Sequence, residues 1–168
     1  MRGGAEIKEN IKILIPTAIC VTALDQVTKA VVSHGMALNE SIAVVPGFFN
    51  LVFIKNPGAA FGILSRAGAV SKIILIAATI AELFIILLLL KDAKTRILAF
   101  ALSMIAGGAV GNLIDRLKNG SVVDFLDFYV GGLHWPAFNV ADSAITTGVV
   151  IALIAMYFRG GRRENRRQ

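Results

Sequence analysis

The chain has 168 residues, of which 56% are hydrophobic and 17% charged, and its mean hydropathy is +0.73. A soluble domain has about 45–50% apolar and about 25% charged residues, so this apolar excess indicates a lipid environment. The net charge of +6 is no sign of a nucleic-acid partner, because the basic residues cluster at the ends of apolar runs. One cysteine and two histidines exclude a disulfide framework and offer too few ligands for a Cys/His metal site.

Four apolar segments are candidates to cross a membrane, which requires about 20 residues each. They are residues 11–32, 73–90, 97–114 and 142–158. The first contains Asp25 and Lys29, and its purely apolar part could also be the core of a cleaved signal peptide. No convincing small-x-small cleavage site follows before Asp25, which favours a membrane span over a signal peptide.

Basic residues predict the orientation of these four spans. They precede span one, lie between spans two and three, and follow span four. The three groups are Arg2, Lys8 and Lys12; Lys91, Lys94 and Arg96; and Arg159, Arg162, Arg163, Arg166 and Arg167. Because four spans bring all three groups to one side, that side is predicted to be cytoplasmic, with both termini. We expect a single membrane domain over residues 1–168, with outer loops at 33–72 and 115–141.

The first outer loop is predicted to form a small β-sheet on the membrane surface. Residues 41–45 and 49–54 are rich in β-formers, and Pro46-Gly47 between them is a typical turn pair. Asn56-Pro57-Gly58 then ends the second strand. Residues 59–62 are small enough, apart from Phe61, to let another backbone approach closely.

Polar residues collect at one depth, near the outer face. The ends of the spans and the second outer loop bring together Asp25, Lys29, Asn112, Asp115, Arg116, Asp124, Asp127, Asn139 and Asp142. An ionisable residue within a span costs about 2.5–3.5 kcal/mol and is a functional candidate. This convergence predicts a functional site near the outer surface.

Several of these residues also have structural interpretations. Asp25 and Lys29 have the spacing of a helical ion pair with the acid first. Arg116 could anchor a helix end among lipid headgroups. Gly107 and Gly111 form a GxxxG pattern, whose usual meaning is close helix packing.

Asp124 and Asp142 form the candidate catalytic pair, because both lie in apolar surroundings. Two neighbouring carboxyls do not both ionise easily when burial and mutual repulsion favour a shared proton. One acid and one base at neutral pH are what water-mediated amide hydrolysis needs. A proton relay or a structural pair would use the same two residues, and Asp127 is a rival partner for Asp124.

Five stretches of the sequence, in this order, resemble the motifs of bacterial lipoprotein signal peptidases, also called signal peptidases II. They are LDQVTK at 24–29, NPGAAF at 56–61, GGAVGNLIDR at 107–116, VVDF at 122–125 and FNVADS at 138–143. Five ordered matches on a chain with four spans make the resemblance specific, and it covers nearly the whole chain. Pro57 varies from the family's second motif, but a proline suits a turn at this place.

The resemblance implies an intramembrane aspartic endopeptidase of the bacterial cytoplasmic (inner) membrane. Such an enzyme removes the signal peptide of a prolipoprotein and cuts before a cysteine modified with diacylglycerol. The implied fold is α-helical, with four transmembrane helices and a small β-sheet cradle in the first outer loop. The implied partners are the lipid-modified substrate and membrane lipid, with no cofactor, no metal and a monomeric enzyme.

The motif positions assign roles to individual residues. The implied catalytic pair is Asp124 and Asp142. The residues implied to shape the site or to hold substrate are Asp25, Lys29, Asn56, Asn112, Arg116 and Asn139. Glu82 and Asp127 lie outside the motifs, so the resemblance assigns them no role.

Two other classes of function use the same residues. A small proton-coupled transporter would use the intramembrane carboxylates as a relay, although only Glu82 would continue such a path inward. A structural subunit would dimerise through Gly107 and Gly111, with the aspartates incidental. The family resemblance favours the peptidase over both.

Overall fold

The structure, a computed structural model, describes residues 2–58 and 69–164. The predicted small-residue stretch at 59–62 and the end of the basic tail at 165–168 lie outside the described residues. The four predicted spans are confirmed as helices. The helices are α1 (Arg2–Gly35), α2 (Ala69–Lys91), α3 (Arg96–Asn119) and α4 (Val140–Glu164). Each contains a stretch long and apolar enough to cross a membrane.

The third helix extends beyond its predicted span. Asp115 and Arg116 were predicted to begin the second outer loop, but they lie in the last two turns of α3. Thr95 caps the start of this helix, and its hydroxyl accepts a hydrogen bond from the backbone N–H of Leu98. Gly120 ends the helix in the left-handed conformation, with φ of 73°, and its N–H donates to Arg116. The helix therefore ends at a cap and not at its last apolar residue.

Glycines let α1 and α4 pack closely against opposite sides of α3. A Cβ atom at Gly107 would lie 2.9 Å from the backbone of Ala18 in α1. A Cβ atom at Gly108 would lie 2.5 Å from the carbonyl oxygen of Ala141 in α4. The GxxxG pattern therefore packs helices within the chain, as its usual interpretation predicts.

The buried side-chain amide of Asn10 joins the start of α1 to the end of α2. The Asn10 side chain donates hydrogen bonds to the carbonyl oxygens of Leu90 and Ala93, at 2.9 and 3.0 Å. These are carbonyls at and just beyond the C-terminus of α2, where the regular helical hydrogen bonds end; the Leu90 carbonyl also accepts from the Ala93 N–H at 3.2 Å. Asn10 thus fixes the position of α1 relative to α2 at the end of the bundle farthest from the sheet.

The sheet is larger than the sequence predicted. It has four antiparallel strands in the order β1 (Ser41–Val45), β2 (Phe49–Asn56), β3 (Val122–Val130) and β4 (Leu133–His134). The predicted turn is confirmed: Gly47 has φ of 82°, and the Phe48 N–H donates to the Val45 carbonyl. The predicted strands of the first outer loop are confirmed as β1 and β2, and β3 and β4 from the second outer loop extend the sheet.

The sheet packs on the end of α1. Val32 of α1 forms a buried cluster with Phe53 of β2 and with Val123 and Phe125 of β3. This contact brings the central strands of the sheet next to the ends of α3 and α4. Asp124 of β3 consequently lies near charged residues of two helices, Lys29 of α1 and Asp142 of α4.

Candidate active site

The two candidate catalytic aspartates come from different elements that meet at the outer end of the bundle. Asp124 lies near the start of β3 and is 2% exposed, whereas Asp142 is half-buried in the first turn of α4. The charge of Asp142 acts on Asp124. The structure therefore brings together the pair that the sequence selected.

Asn139 connects these two residues. It precedes the first residue of α4, and its Oδ1 accepts a hydrogen bond from the backbone N–H of Asp142 at 2.9 Å. This is the usual role of an asparagine at a helix N-terminus. Its Nδ2 donates to Asp124 Oδ1 at 2.7 Å and to the Val123 carbonyl at 3.2 Å. One buried side chain thus starts α4 and orients the carboxyl on β3.

Asn56 binds the other oxygen of the same carboxyl. Its Nδ2 donates to Asp124 Oδ2 at 2.9 Å, across the β2–β3 pair. Its Oδ1 accepts from the backbone N–H of Gly58 at 2.9 Å, which forms a turn around Pro57. Gly58 has φ of 89°, a conformation that glycine adopts without strain. The Pro57 variation is therefore compatible with the local geometry.

Asp124 is a carboxyl whose ionisation is disfavoured by its surroundings. Burial raises the pKa of Asp124 to about 6 from an ordinary value of 3.8, and the nearby charge of Asp142 adds to the increase. The hydrogen bonds from Asn56 and Asn139 and the charge of Lys29 act in the opposite direction. Asp124 can therefore gain or lose a proton close to neutral pH.

Asn112 links Asp142 to a buried charge. Its Nδ2 donates to Asp142 Oδ1 at 2.8 Å, and its Oδ1 accepts from Lys29 Nζ at 2.9 Å. Lys29 also forms ion pairs with Asp25 Oδ2 at 2.8 Å and Asp115 Oδ2 at 2.9 Å. All three charged side chains are at most 6% exposed. The structural interpretation of Asp25 and Lys29 as a helical ion pair is thus confirmed, and the pair lies beside the site.

Asp25 also holds the start of α4. Its Oδ1 accepts a hydrogen bond from the backbone N–H of Ala141 at 2.9 Å. Together with Asn139, it binds two of the N–H groups that a helix leaves free in its first turn. Asp142 lies in that turn, so α1 takes part directly in placing it.

Asp115 and Gln26 also belong to this network. The sequence placed Asp115 among the converging polar residues without assigning it a role, and it did not select Gln26. Asp115 Oδ2 accepts from the Val123 N–H at 3.2 Å, and its Oδ1 accepts from Gln26 Nε2 at 3.0 Å. The spacing of Asn112 and Asp115 places both on one side of α3, which was a usable signal. Gln26 gave no such signal, because its partners lie on another helix.

Arg116 and Asp127 lie apart from the two carboxyls. The Arg116 side chain forms no hydrogen bond with any described residue, and its charge acts on Glu82 of α2. Asp127 binds Asn50 at 2.8 Å and His134 at 2.8 Å. Burial opposes ionisation of Asp127, but these hydrogen bonds outweigh it and lower the pKa of its carboxyl. Asp127 is thus occupied at a different place on the sheet and is a poor partner for Asp124.

A cleft of about 470 Å³ opens beside Asp142. One wall is the segment that leads into α4, including Trp135 and Phe138, and the other is the α4 surface with Ser143 and Thr146. No cluster of His, Cys, Asp and Glu suited to a metal ion occurs within residues 2–58 and 69–164. A pair of carboxyls beside such a cleft can take a proton from water and supply one to a leaving group.

These features define a multi-pass membrane protein with a polar site of hydrolytic character at one end of its helix bundle. Residues 17–158 match the family described as signal peptidase (SPase) II. The chain belongs to the signal peptidase II family, and it is a membrane-bound protease.

Individual relatives agree with this assignment. The lipoprotein signal peptidase of Desulforapulum autotrophicum is 52% identical over 82% of this chain and 87% of its own length. The lipoprotein signal peptidase of Syntrophotalea carbinolica is 43% identical, over 91% of this chain and 96% of its own length. A solved bacterial membrane enzyme, at 34% identity, covers 90% of this chain and 92% of its own, with a TM-score of 0.79.

Proposed function

We propose that this protein is an aspartic endopeptidase that removes signal peptides from prolipoproteins. The family and the named relatives support the substrate class. The aspartic mechanism is supported by one observation above all: Asn139 connects Asp124 to Asp142, which lines an open cleft. The cut is made before a cysteine that carries diacylglycerol.

The proposed mechanism uses water as the nucleophile. One carboxylate of the pair takes a proton from a bound water, and the water oxygen attacks the scissile carbonyl carbon. The other carboxyl donates its proton to the carbonyl oxygen. When the tetrahedral intermediate collapses, the C–N bond breaks and a proton passes to the leaving amine. The carboxyl that took the water proton supplies the proton of the amine, and the other carboxylate takes one back from a hydroxyl of the intermediate, so both aspartates regain their initial states.

The substrate's signal helix enters sideways from the bilayer while its lipid chains stay in the outer leaflet. Asp142 lies at the end of a membrane-spanning helix, which places the cleft near a membrane surface. The distribution of basic residues makes this surface the outer face of the bacterial cytoplasmic membrane. The enzyme acts as a monomer, since the site is built within one chain.

A proton-coupled transporter receives no support. The relatives are peptidases by name. The polar residues also gather at one end of the bundle. Glu82 of α2, the residue that would continue a proton path inward, has no hydrogen bond or ion pair among the described residues.

The proposal is tested by replacing each aspartate with asparagine in purified enzyme. Since general acid–base catalysis contributes about 10²–10⁴-fold each, Asp124→Asn and Asp142→Asn should each abolish detectable cleavage of a diacylglyceryl-modified prolipoprotein. Asp127→Asn is the matched control: Asp127 lies on the same strand as Asp124, but it binds Asn50 and His134. Asp127→Asn should cleave within a few-fold of wild type. Near-normal turnover by folded Asp124→Asn or Asp142→Asn would exclude the mechanism.

A further inference from the structure

Three asparagines contact the aspartate pair: Asn56, Asn112 and Asn139. The hydrogen-bonding partners of each side chain determine which way its amide group is turned. An amide can present either oxygen or nitrogen in a given direction, so each orientation must be inferred from donors and acceptors around it. Asn139 and Asn56 each accept a backbone N–H, which can only donate. Their Nδ2 groups must therefore face Asp124.

Asn112 differs, because a side chain determines its orientation. Its Oδ1 accepts from Lys29 Nζ at 2.9 Å and, at the longer distance of 3.4 Å, from Asn139 Nδ2. An ammonium has three N–H donors and no acceptor, so Asn112 must present its oxygen to Lys29 and its N–H₂ to Asp142. The second contact is 2.8 Å, to Asp142 Oδ1.

Lys29 is itself held in place by two buried carboxyls. Asp25 and Asp115 bind the same Nζ atom at 2.8 and 2.9 Å, and all three side chains are buried. Its ammonium thus has one hydrogen-bonding partner for each of its three N–H groups. A buried cation so fully bound is a permanent donor with no freedom to turn away from Asn112.

We propose that Lys29 is a positioning residue for catalysis, which acts through Asn112 to keep Oδ1 of Asp142 as a hydrogen-bond acceptor. Oδ2 of Asp142 forms no hydrogen bond with any residue between 2 and 58 or 69 and 164. Oδ2 is then the oxygen that exchanges protons with water and substrate. The inference rests on the proposed catalytic role of Asp142. It means that the buried ion pairs of Lys29 contribute to catalysis as well as to stability.

Asn112→Asp separates this role from a structural one. The variant has nearly the same shape and still accepts from Lys29, but it replaces the N–H donor facing Asp142 with an oxygen. We expect kcat to fall about a hundredfold, as for a misplaced catalytic group, with KM within threefold of wild type. The bell-shaped pH profile should also move to higher pH, because the aspartate pair holds its proton more tightly when it faces an acceptor. A purely structural contact between Lys29 and Asn112 would leave kcat and the profile unchanged, and that result would overturn the inference.

Lys29→Met tests the same step from the other side. Without the ammonium the Asn112 amide can turn its oxygen toward Asp142, so the pH profile should move in the same direction. A folded Lys29→Met enzyme with the wild-type profile would contradict the proposal. Lys29→Gln is a second variant that keeps an N–H donor near Asn112: it should retain a larger share of the wild-type kcat than Lys29→Met, and an equal loss in the two folded variants would contradict the proposal.

These outcomes are distinct from failure of the proposed function. If Asp142→Asn itself retains activity, the catalytic pair is wrong. If Asp142→Asn is inactive while Asn112→Asp matches wild type, the pair stands and the role of Lys29 does not.

Discussion

Asparagines, and not charged side chains, make the direct contacts to both candidate catalytic carboxyls. Asn56 and Asn139 donate to Asp124, and Asn112 donates to Asp142. A neutral amide stabilises a carboxylate less than a cation does, so it leaves the proton affinity of the pair free to be set by burial. The cation, Lys29, lies one residue farther away and acts through Asn112.

The pKa of Asp124 predicts how activity depends on pH. Because burial raises it to about 6, free enzyme should lose the shared proton as the pH rises through this value. We therefore expect kcat/KM to decline above about pH 6, since this ratio reports the ionisation of free enzyme. Initial rates between about pH 4 and pH 8, which extend about two units on each side of this pKa, would measure it. A flat kcat/KM across that range would contradict the prediction.

The same shift affects stability with a definite sign. The native state binds the Asp124 proton more tightly than the unfolded chain does, since the pKa rises from 3.8 to about 6. The stabilisation that this proton gives is complete below the unfolded value and is lost as the pH rises through about 6. The pH range in which kcat/KM declines is therefore also the range in which this contribution to stability is lost.

At the scale of elements, α3 is the centre of the bundle, and its glycines allow the polar network to form. A Cβ atom at Gly111 would lie 2.5 Å from Asp25 Oδ2. That oxygen binds Lys29, while the other oxygen of the same carboxyl holds the N–H of Ala141 in α4. The close approach of α1 and α3 is therefore also what brings the start of α4 into place.

Gly111→Ala should destabilise the protein by about 1–3 kcal/mol, because Asp25 cannot move without breaking buried contacts. Gly35→Ala is the matched control, since a Cβ atom at the end of α1 would meet nothing within 4 Å. Thermal unfolding in detergent should show a lower Tm for Gly111→Ala and an unchanged or higher Tm for Gly35→Ala. Equal Tm values for the two variants would show that the Asp25 contact does not limit packing.

The sheet shows where element prediction from sequence succeeds and where it fails. Residues 41–45 and Pro46-Gly47 carry local strand and turn signals, and both were predicted correctly. Strand β3 was missed because it forms by pairing with β2, about 70 residues earlier in the chain, where Asn56 lies opposite Val122. Pairing of that kind depends on how the helices bring the two outer loops together.

At the scale of the whole molecule, the basic residues predict which end of the bundle faces the cytoplasm. Single cysteines introduced in a Cys20→Ala background can test this orientation. Ser41→Cys, on the exposed edge strand, should react with an impermeant maleimide in intact cells. Asp92→Cys, between α2 and α3 and next to Lys91, should react only after the membrane is made permeable. Labelling of Asp92→Cys in intact cells would reverse the orientation and place the site on the cytoplasmic side.

The sequence by itself determined the membrane class, the four helices and the candidate carboxyl pair. Hydropathy and helix length depend on composition along a single segment, and the five ordered motifs identified the family. Asp124 and Asp142 could be selected because charge is rare and costly in apolar surroundings.

Only the tertiary structure decided how these residues connect. Asp115 joins the network because α3 continues to Asn119, and Arg116 remains outside it although its motif neighbour Asn112 is central. Asn139 links the two aspartates because a strand and a helix from distant parts of the chain meet there. Hydrogen bonds have direction and short range, so their partners follow from the packing of α1, α3, α4 and β3 and not from local sequence.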